Sequence, residues 1–233
     1  MRQETLARAC MLDHPATAYI VPVRGPDGPA EYEVTWDELA RDAAWTQDRL
    51  RGLGLAEGHR ALVSFSGYEG AWFQPVIEAL RNMGVVYGTS ESMGWDHVRT
   101  RVFHRELDLH AVLGISLETL EALSGQAMIG DLFRDTPVLL GRPDAARRLR
   151  DAGVPAGIMT PLGPALAVEC RERDGAHVNR AEWTVRERDG GLGVAAASAE
   201  RAKGTGEIVL DTAGSVRTER CACGSDDPRV IFG

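Results

Sequence analysis

Short apolar segments alternate with segments of helical periodicity through the middle of the chain. The apolar segments are typical of buried strands and lie at residues 60–65, 84–88, 111–115 and 137–140. The segments between them repeat apolar side chains with a helical period, at residues 71–83, 96–107, 117–123 and 145–152. A βαβα order makes successive strands parallel and places helices on the faces of the sheet. The sequence therefore predicts an α/β fold, with a mostly parallel sheet flanked by helices. A further short helix is expected over residues 1–12.

A hairpin and a capped helix precede this alternation. Residues 19–23 and 31–34 are predicted strands, and the turn between them is rich in Pro and Gly, which fix a turn conformation. Thr35 then has a glutamate, Glu38, at the spacing of a capping box. We expect a helix from this point to Gly52.

After Pro164 the sequence pattern changes to that of β structure. Three more strands are predicted, at residues 166–170, 181–188 and 206–210. Gly, Ala and Ser dominate residues 189–205, which indicates a mobile connection. The chain is therefore divided into an α/β core over residues 1–162 and a β-rich subdomain over residues 163–233.

Three of the four cysteines and one histidine form two short clusters in this second half. Cys170 and His177 make the first cluster, and Cys221 and Cys223 make the second. Cys₃His is one of the closed tetrahedral ligand sets of structural zinc. The spacing is not that of a usual zinc finger, so incidental thiols or a redox-active Cys-x-Cys pair remain alternatives. Catalytic zinc would need an open coordination position, which four protein ligands would fill. The pattern favours a structural Zn²⁺ on these four residues.

Composition argues against some partners and cellular locations of the protein. The formal net charge is −8 and no basic cluster stands out, which argues against a nucleic-acid partner. No stretch approaches the roughly 18 apolar residues of a membrane span, and the first residues lack the apolar region of a secretion signal. These features predict a cytoplasmic protein that binds neither nucleic acid nor membrane.

Several strings in the second half resemble one enzyme family. Residues 163–177 contain Gly-Pro, then Glu-Cys, then Gly-Ala-His; residues 206–210 read Gly-Glu-Ile-Val-Leu; residues 221–229 contain Cys-Ala-Cys-Gly and Pro-Arg. These strings resemble the phenylacetate–CoA ligase group of the adenylate-forming (acyl-CoA synthetase) superfamily. Weaker collinear similarity extends over residues 19–231. The resemblance implies a remnant of an acyl-CoA ligase N-terminal domain with a C-terminal zinc-binding extension, its zinc held by the four ligands above.

The family's ATP-handling elements are missing from this sequence. At the position of the phosphate-binding loop, residues 23–30 contain two prolines and Asp27 but no Ser, Thr or Lys. Proline removes N–H donors that such an anion site needs. Residues 157–162 lack the acidic residue of the adenylate motif, and residues 213–220 lack the ribose-binding Asp. The only lysine, Lys203, matches neither family lysine, and the sequence ends before the family's C-terminal domain. The expectation is a truncated, degenerate member without ATP as cofactor.

One functional hypothesis places a small aromatic or polyketide-type metabolite in the former acyl pocket. Pockets in such folds lie beyond the carboxyl ends of the strands. The candidate substrate-binding residues there are Ser66, Tyr68, Tyr87, Thr89, Ser116 and Thr160. His97, Arg101 and His104 follow at helical spacing, so one helix face could present a catalytic acid–base pair with an anion clamp. The alternative is that the hydroxyls are turn or cap groups and the helix face is merely solvated.

A second hypothesis is a non-catalytic pseudo-enzyme that stabilises or regulates another biosynthetic enzyme. A contiguous exposed patch that includes Trp72, Phe73, Trp95 or Phe103 would mark its contact surface. A homodimer is a further candidate assembly. Whether the protein is an enzyme is left open. The Arg-, Ala- and Gly-rich composition, typical of a high-GC genome, and the reduced ligase scaffold suggest specialised (antibiotic) metabolism in a bacterium.

Overall fold

The structure is a computed structural model. It describes residues 16–25, 28–125, 128–198, 200–201 and 206–233. The helix predicted over residues 1–12 lies outside this part of the chain, as do Cys10, Asp27 and Lys203.

The described elements alternate as the sequence pattern predicts up to residue 162 and are strands thereafter. The strands are β1 (Thr17–Gly25), β2 (Gly28–Thr35), β3 (Arg60–Ser64), β4 (Val86–Ser90), β5 (Ala111–Ile115), β6 (Val138–Gly141), β7 (Gly157–Leu162), β8 (Ala165–Glu169), β9 (Ala176–Val178), β10 (Trp183–Arg188), β11 (Gly191–Ala196), β12 (Ile208–Leu210), β13 (Gly214–Arg217) and β14 (Arg229–Phe232). The helices are α1 (Trp36–Gly52), α2 (Gly70–Asn82), α3 (His97–Leu107), α4 (Leu117–Ser124), α5 (Ile129–Phe133) and α6 (Pro143–Asp151). Single 3₁₀ turns precede α2 at Gly67–Glu69 and α3 at Gly94–Asp96.

One nine-stranded sheet forms the centre of the protein. Its strand order is β13-β14-β9-β8-β7-β6-β5-β3-β4. The five strands from β7 to β4 are parallel to one another. Apolar side chains are buried on both faces of these strands, which is typical of a parallel sheet covered by helices. The predicted α/β fold with a large sheet flanked by helices is confirmed.

Antiparallel strands continue this sheet beyond residue 162. β7 and β8 form a hairpin around Gly163, whose φ of 55° lies in the left-handed region that favours glycine. β9, β14 and β13 then add in antiparallel pairs. β10, β11 and β12 form a separate antiparallel sheet, and β1 pairs with β2 in the predicted hairpin. The large sheet is continuous across residue 162, and the division into two domains stays a prediction.

The predicted mobile connection over residues 189–205 is wrong in its first part. Residues Gly191–Ala196 form β11, the central strand of the three-stranded sheet. A Cβ atom on Gly191 would collide with the main-chain oxygen of Leu210, so this position needs glycine. Small residues such as these predict a loop, because the close approach of Gly191 to Leu210 exists only in the folded chain.

The predicted capping box at the start of α1 is confirmed. The Glu38 N–H donates to Thr35 Oγ1 at 3.2 Å, and the Thr35 N–H donates to Glu38 Oε2 at 2.6 Å. Among the described helices, none combines the length and the apolar character that crossing a membrane requires.

Candidate metal centre and carboxyl-edge site

Three segments bring the four predicted metal ligands together. Cys170 directly follows β8, His177 lies within β9, and Cys221 and Cys223 lie in the loop between β13 and β14. β14 pairs with β9, with Arg229 opposite His177, so the loop before β14 is carried towards the imidazole. The sulfur atoms and one imidazole nitrogen of the four residues all lie within 4.8 Å of one another.

A tight turn shapes the loop that carries the last two cysteines. The Gly224 N–H donates to the Cys221 carbonyl at 2.9 Å, and the Cys221 N–H donates to the Ser225 carbonyl at 2.9 Å. Gly224 has a φ of 89°, which disfavours any residue with a Cβ atom. The glycine after Cys223 is therefore required by the turn that presents the two thiols.

The separations between donor atoms fit a tetrahedral ion. Cys170 Sγ and Cys221 Sγ are 3.8 Å apart, and Cys223 Sγ and His177 Nε2 are 3.6 Å apart. Tetrahedral zinc, with Zn–S near 2.3 Å and Zn–N near 2.0 Å, places two sulfurs about 3.8 Å apart and a sulfur and a nitrogen about 3.5 Å apart. A disulfide needs sulfurs about 2.05 Å apart, and these three cysteines are free. The cluster can therefore hold a metal ion such as zinc.

Burial controls the protonation of these donors. Burial lowers the pKa of His177 to about 4, and the nearby Arg49 guanidinium adds to the effect. The imidazole is therefore neutral near pH 7, the form that coordinates metals. Burial also raises the pKa of the Cys170 thiol, and the neighbouring Cys223 thiol contributes in the same direction. A bound cation would oppose this effect, because a coordinating thiol loses its proton.

A second group of polar residues lies at the carboxyl edge of the parallel strands. Ser66, Ser92, Ser116 and Arg142 follow β3, β4, β5 and β6 respectively. Ser66 Oγ and Ser92 Oγ are 2.7 Å apart, and the Ser116 hydroxyl donates to the Ser92 carbonyl. Glu69 Oε2 accepts the Ser66 N–H at 2.8 Å. We call these five residues the carboxyl-edge network.

Arg142 supplies the positive charge of the carboxyl-edge network. Its Nη2 donates to Glu69 Oε1 at 2.7 Å, and its guanidinium carbon lies 4.6 Å from the centre of the Phe73 ring. Its Nη1 is buried and has no hydrogen-bond partner among the described residues. Burial lowers the pKa of Arg142, although Glu69 and Tyr68 act in the opposite direction. Because Glu69 balances the charge of the guanidinium, the N–H groups on Nη1 suit an uncharged acceptor oxygen.

Half of the predicted substrate-binding residues lie at this edge. Ser66 and Ser116 belong to the network, and Tyr68 is close enough to Arg142 to affect its pKa. Tyr68 is 74% exposed, so its ring is accessible from solvent.

The other three predicted residues do not join the network. Tyr87 and Thr89 lie inside β4, and Tyr87 interacts with Arg81 near the end of α2. Thr160 lies inside β7, where its buried hydroxyl donates to the Pro161 carbonyl at 3.4 Å. A substrate-binding role for these residues stays a prediction.

Sequence reasoning missed Glu69, Ser92 and Arg142. Ser66 and Glu69 have the Ser-x-x-Glu spacing of a capping box, which the structure contains. Arg142 follows β6 immediately, at a position where the carboxyl-end rule predicts functional side chains. These two signals were present in the sequence, whereas the pairing of Glu69 with Arg142 was not.

The three candidate catalytic residues lie on α3, where the two imidazoles have separate contacts. His97 Nδ1 lies 2.8 Å from the Gly94 carbonyl, and His104 Nε2 lies 3.1 Å from Thr136 Oγ1. Burial lowers the pKa of His104. Arg101 is exposed. These contacts give both imidazoles local structural roles, and a catalytic role for the three residues stays a prediction.

Exposed apolar side chains gather before and along α3. Trp95 is 69% exposed, and Met93, Val98 and Val102 are also exposed. Of the other aromatic residues considered for a contact surface, Phe73 is buried, whereas Trp72 and Phe103 are partly buried against the core.

Comparison with known proteins identifies the fold but not a family. Neither a family model nor a curated protein matches the sequence. A 2-hydroxyisobutyryl-CoA ligase in the postadenylation state superimposes with a TM-score of 0.68 at 12% identity, over 98% of this chain and 56% of that one. ATP-bound MatB from Rhodopseudomonas palustris gives 0.59 at 12% identity, over 95% and 49%. The Bacillus subtilis O-succinylbenzoate coenzyme A synthetase (MenE), in complex with AMP, gives 0.55 at 14%, over 95% and 62%. The chain therefore has the fold of the adenylate-forming acyl-CoA ligases and spans about half their length.

Proposed function

We propose that the protein is an ATP-independent, repurposed acyl-CoA-ligase-like protein that binds a small aromatic or polyketide-type metabolite at the carboxyl edge. We relate it to the phenylacetate–CoA ligase group and place it in the cytoplasm of a bacterium with specialised metabolism. The observation that carries the proposal is the buried Nη1 of Arg142, which lacks a partner among the described residues.

The chemistry around Arg142 selects the kind of ligand. A buried donor without a partner is costly, so an acceptor from a ligand would stabilise the complex. The Glu69–Arg142 pair is close to neutral overall, which favours a ketone or phenol oxygen over a carboxylate. The exposed ring of Tyr68 offers a flat apolar surface for an aromatic ligand.

Replacing Arg142 should weaken binding of a hydroxyaryl ketone. With 2′-hydroxyacetophenone as probe, we expect Arg142→Lys to lower the affinity about tenfold, since one charge-assisted hydrogen bond is lost. Lysine can keep the ion pair with Glu69 while removing the Nη1 donor. Isothermal titration calorimetry measures the effect. Arg134→Met, at a side chain that is 71% exposed, is the control and should bind as the unaltered protein does.

Two results would contradict this proposal. If Arg142→Lys binds 2′-hydroxyacetophenone as tightly as the unaltered protein does, Arg142 does not contact the ligand. Carboxylate-dependent exchange of pyrophosphate into ATP would restore ligase chemistry. We expect no such exchange, because residues 23–30 replace the loop's hydroxyls and lysine with two prolines and Asp27.

The metal that we assign to Cys170, His177, Cys221 and Cys223 is structural zinc. Three thiolates and one neutral imidazole are a soft donor set that suits Zn²⁺ in a closed tetrahedron. When bound, the ion would cross-link β8, β9 and the loop before β14. The ion would stabilise the folded state. It would not bind substrate, because protein side chains fill all four of its coordination positions.

A non-catalytic partner role is the second candidate, and the exposed side chains near α3 favour it. Trp95, Met93 and Val98 are exposed apolar residues in the segment that follows β4, and such residues can mark a contact surface. A folded protein that binds no hydroxyaryl ketone, and that loses association with a co-purifying biosynthetic enzyme on Trp95→Ser, would replace the small-molecule proposal with this one.

A further inference from the structure

A cleft of about 330 Å³ lies at the amino edge of the parallel strands, at the end opposite the carboxyl-edge network. His59 and His110 stand directly before β3 and β5, and both line the cleft. An apolar wall of the cleft is formed by Leu53, Val138 and Leu140. We call it the amino-edge cleft. Cys170, one of the four proposed metal ligands, also lines this cleft, whereas none of the carboxyl-edge residues does.

The two histidines of the amino-edge cleft are stacked and have fixed tautomers. Their ring centres are 4.1 Å apart, with 16° between the ring planes. His59 Nδ1 accepts the Ala56 N–H at 3.3 Å, and His110 Nδ1 accepts the Arg60 N–H at 3.4 Å. A neutral imidazole whose Nδ1 is an acceptor carries its proton on Nε2. Each histidine therefore has an Nε2–H donor that these backbone contacts do not use.

Two arginines add positive charge to the amino-edge cleft. Arg171 Nη2 donates to the Leu53 carbonyl at 2.9 Å, which holds its guanidinium against the cleft wall. Arg173 has a φ of 52°, and its N–H donates to the Cys170 carbonyl at 3.2 Å, so a turn sets its position. Burial lowers the pKa of Arg173 against the opposing effect of Glu169.

No carboxylate is among the described residues that line the cleft, and the nearby carboxylates have other partners. Glu169 Oε2 already accepts from Arg150 Nη2 at 2.6 Å and from the Ile158 N–H at 3.0 Å. Asp108 pairs with Arg60 at 2.9 Å. Glu172 lines the neighbouring cleft beside Arg171 rather than this one. The amino-edge cleft therefore has a local excess of positive charge beside an apolar wall.

We propose that the amino-edge cleft binds a small aromatic carboxylate. The carboxylate would accept from Arg173 and from an Nε2–H of the histidine pair, and the ring would lie against Leu53, Val138 and Leu140. Guanidinium groups match the two oxygens of a carboxylate, and apolar walls with a few polar anchors are typical of small-ligand sites. A carboxylate is negatively charged, whereas the carboxyl-edge site at Arg142 favours an uncharged oxygen. The proposals for the two sites are therefore independent.

Benzoate is the probe that tests the amino-edge cleft. We expect saturable binding by calorimetry, together with shifts of the His59 and His110 ring resonances in NMR spectra. Arg173→Asn should weaken binding about tenfold, because a charge-assisted pair is lost, and asparagine tolerates a positive φ. His59→Phe should keep the stack while also weakening binding. Arg134→Met, at an exposed side chain outside both proposed sites, is the control and should leave benzoate affinity unchanged.

Three outcomes would overturn the amino-edge proposal. The first is saturable benzoate binding that leaves both histidine ring resonances unmoved. The second is that benzyl alcohol binds as tightly as benzoate, which would show that the negative charge of the ligand is not recognised. The third is unchanged affinity in both Arg173→Asn and His59→Phe while their thermal unfolding matches that of the unaltered protein.

Discussion

Cys223→Ser should unfold residues 163–233 at temperatures where the unaltered protein is folded, and it should reduce bound zinc from one ion per chain to a small fraction. A metal on the four residues would join the end of β8, the middle of β9 and the loop before β14, which are otherwise held by short pairings such as the two-residue contact of β14 with β9. Metal-binding energy is folding energy in such a site. At free zinc a thousand times above Kd the expected loss is about 4 kcal/mol.

Metal analysis and thermal unfolding with and without chelator measure this effect. Chelator should lower the unfolding temperature of the unaltered protein much more than that of Cys223→Ser. Cys10→Ser is the control, because the sequence predicts no ligand role for Cys10, and it should keep both zinc and stability. A purified protein that is free of metal and equally stable in chelator would refute the zinc assignment.

Arg201→Met should destabilise the protein by about 3–5 kcal/mol, the usual cost of removing one partner from a buried ion pair. The Arg201 side chain is 1% exposed and donates from Nη1 to Asp42 Oδ1 and to Glu182 Oε2, each at 2.8 Å. Its guanidinium also lies 4.4 Å from the centre of the Trp183 ring. The substitution would leave three neighbouring carboxylates, including Glu38, without their central cation.

Urea unfolding followed by circular dichroism measures the loss. Arg105→Met is a matched control, because the Arg105 side chain is 65% exposed and its pair with Glu106 is a surface contact. It should change stability by less than about 0.5 kcal/mol. If Arg201→Met is no more destabilising than the control, Arg201 does not anchor α1 to β10.

Asp42 should make the protein less stable as the pH rises from about 4 to about 7. Burial raises the pKa of Asp42 to about 7 against the opposing effect of Arg201, and Glu182 and Glu38 raise it further. An unfolded Asp titrates near 3.9, so the folded state binds this proton more tightly between the two values. The stabilisation that this bound proton gives to the folded state is complete below about pH 4 and is lost as the pH rises through 7.

The Asp42 effect is measured as the difference between the unaltered protein and Asp42→Asn at each pH. This difference removes contributions from other titrating groups, including the metal ligands. Parallel stability curves between pH 4 and 7 would show that Asp42 titrates as it does in the unfolded chain.

The alternation of buried strands and helices and the four residues of the Cys/His cluster could be predicted from the sequence. Both depend on local information: apolar segments such as residues 111–115 match the buried strand Ala111–Ile115, and Cys and His are the residue types that bind soft metals. The hairpin β1–β2 and the start of α1 also follow from local rules, because Pro, Gly and a capping box act over a few neighbouring residues.

Only the tertiary structure decided which polar residues meet. Arg201 lies 159 residues from Asp42, and Arg142 lies 73 residues from Glu69, so no local pattern connects either pair. Charged side chains in a sequence are normally exposed. Burying a charged side chain costs free energy, and the cost is offset only when the fold places a partner of opposite charge beside it. The four residues of the Cys/His cluster could be selected from the sequence because only a few residue types can bind a soft metal. The partners of an arginine, in contrast, are fixed by packing alone.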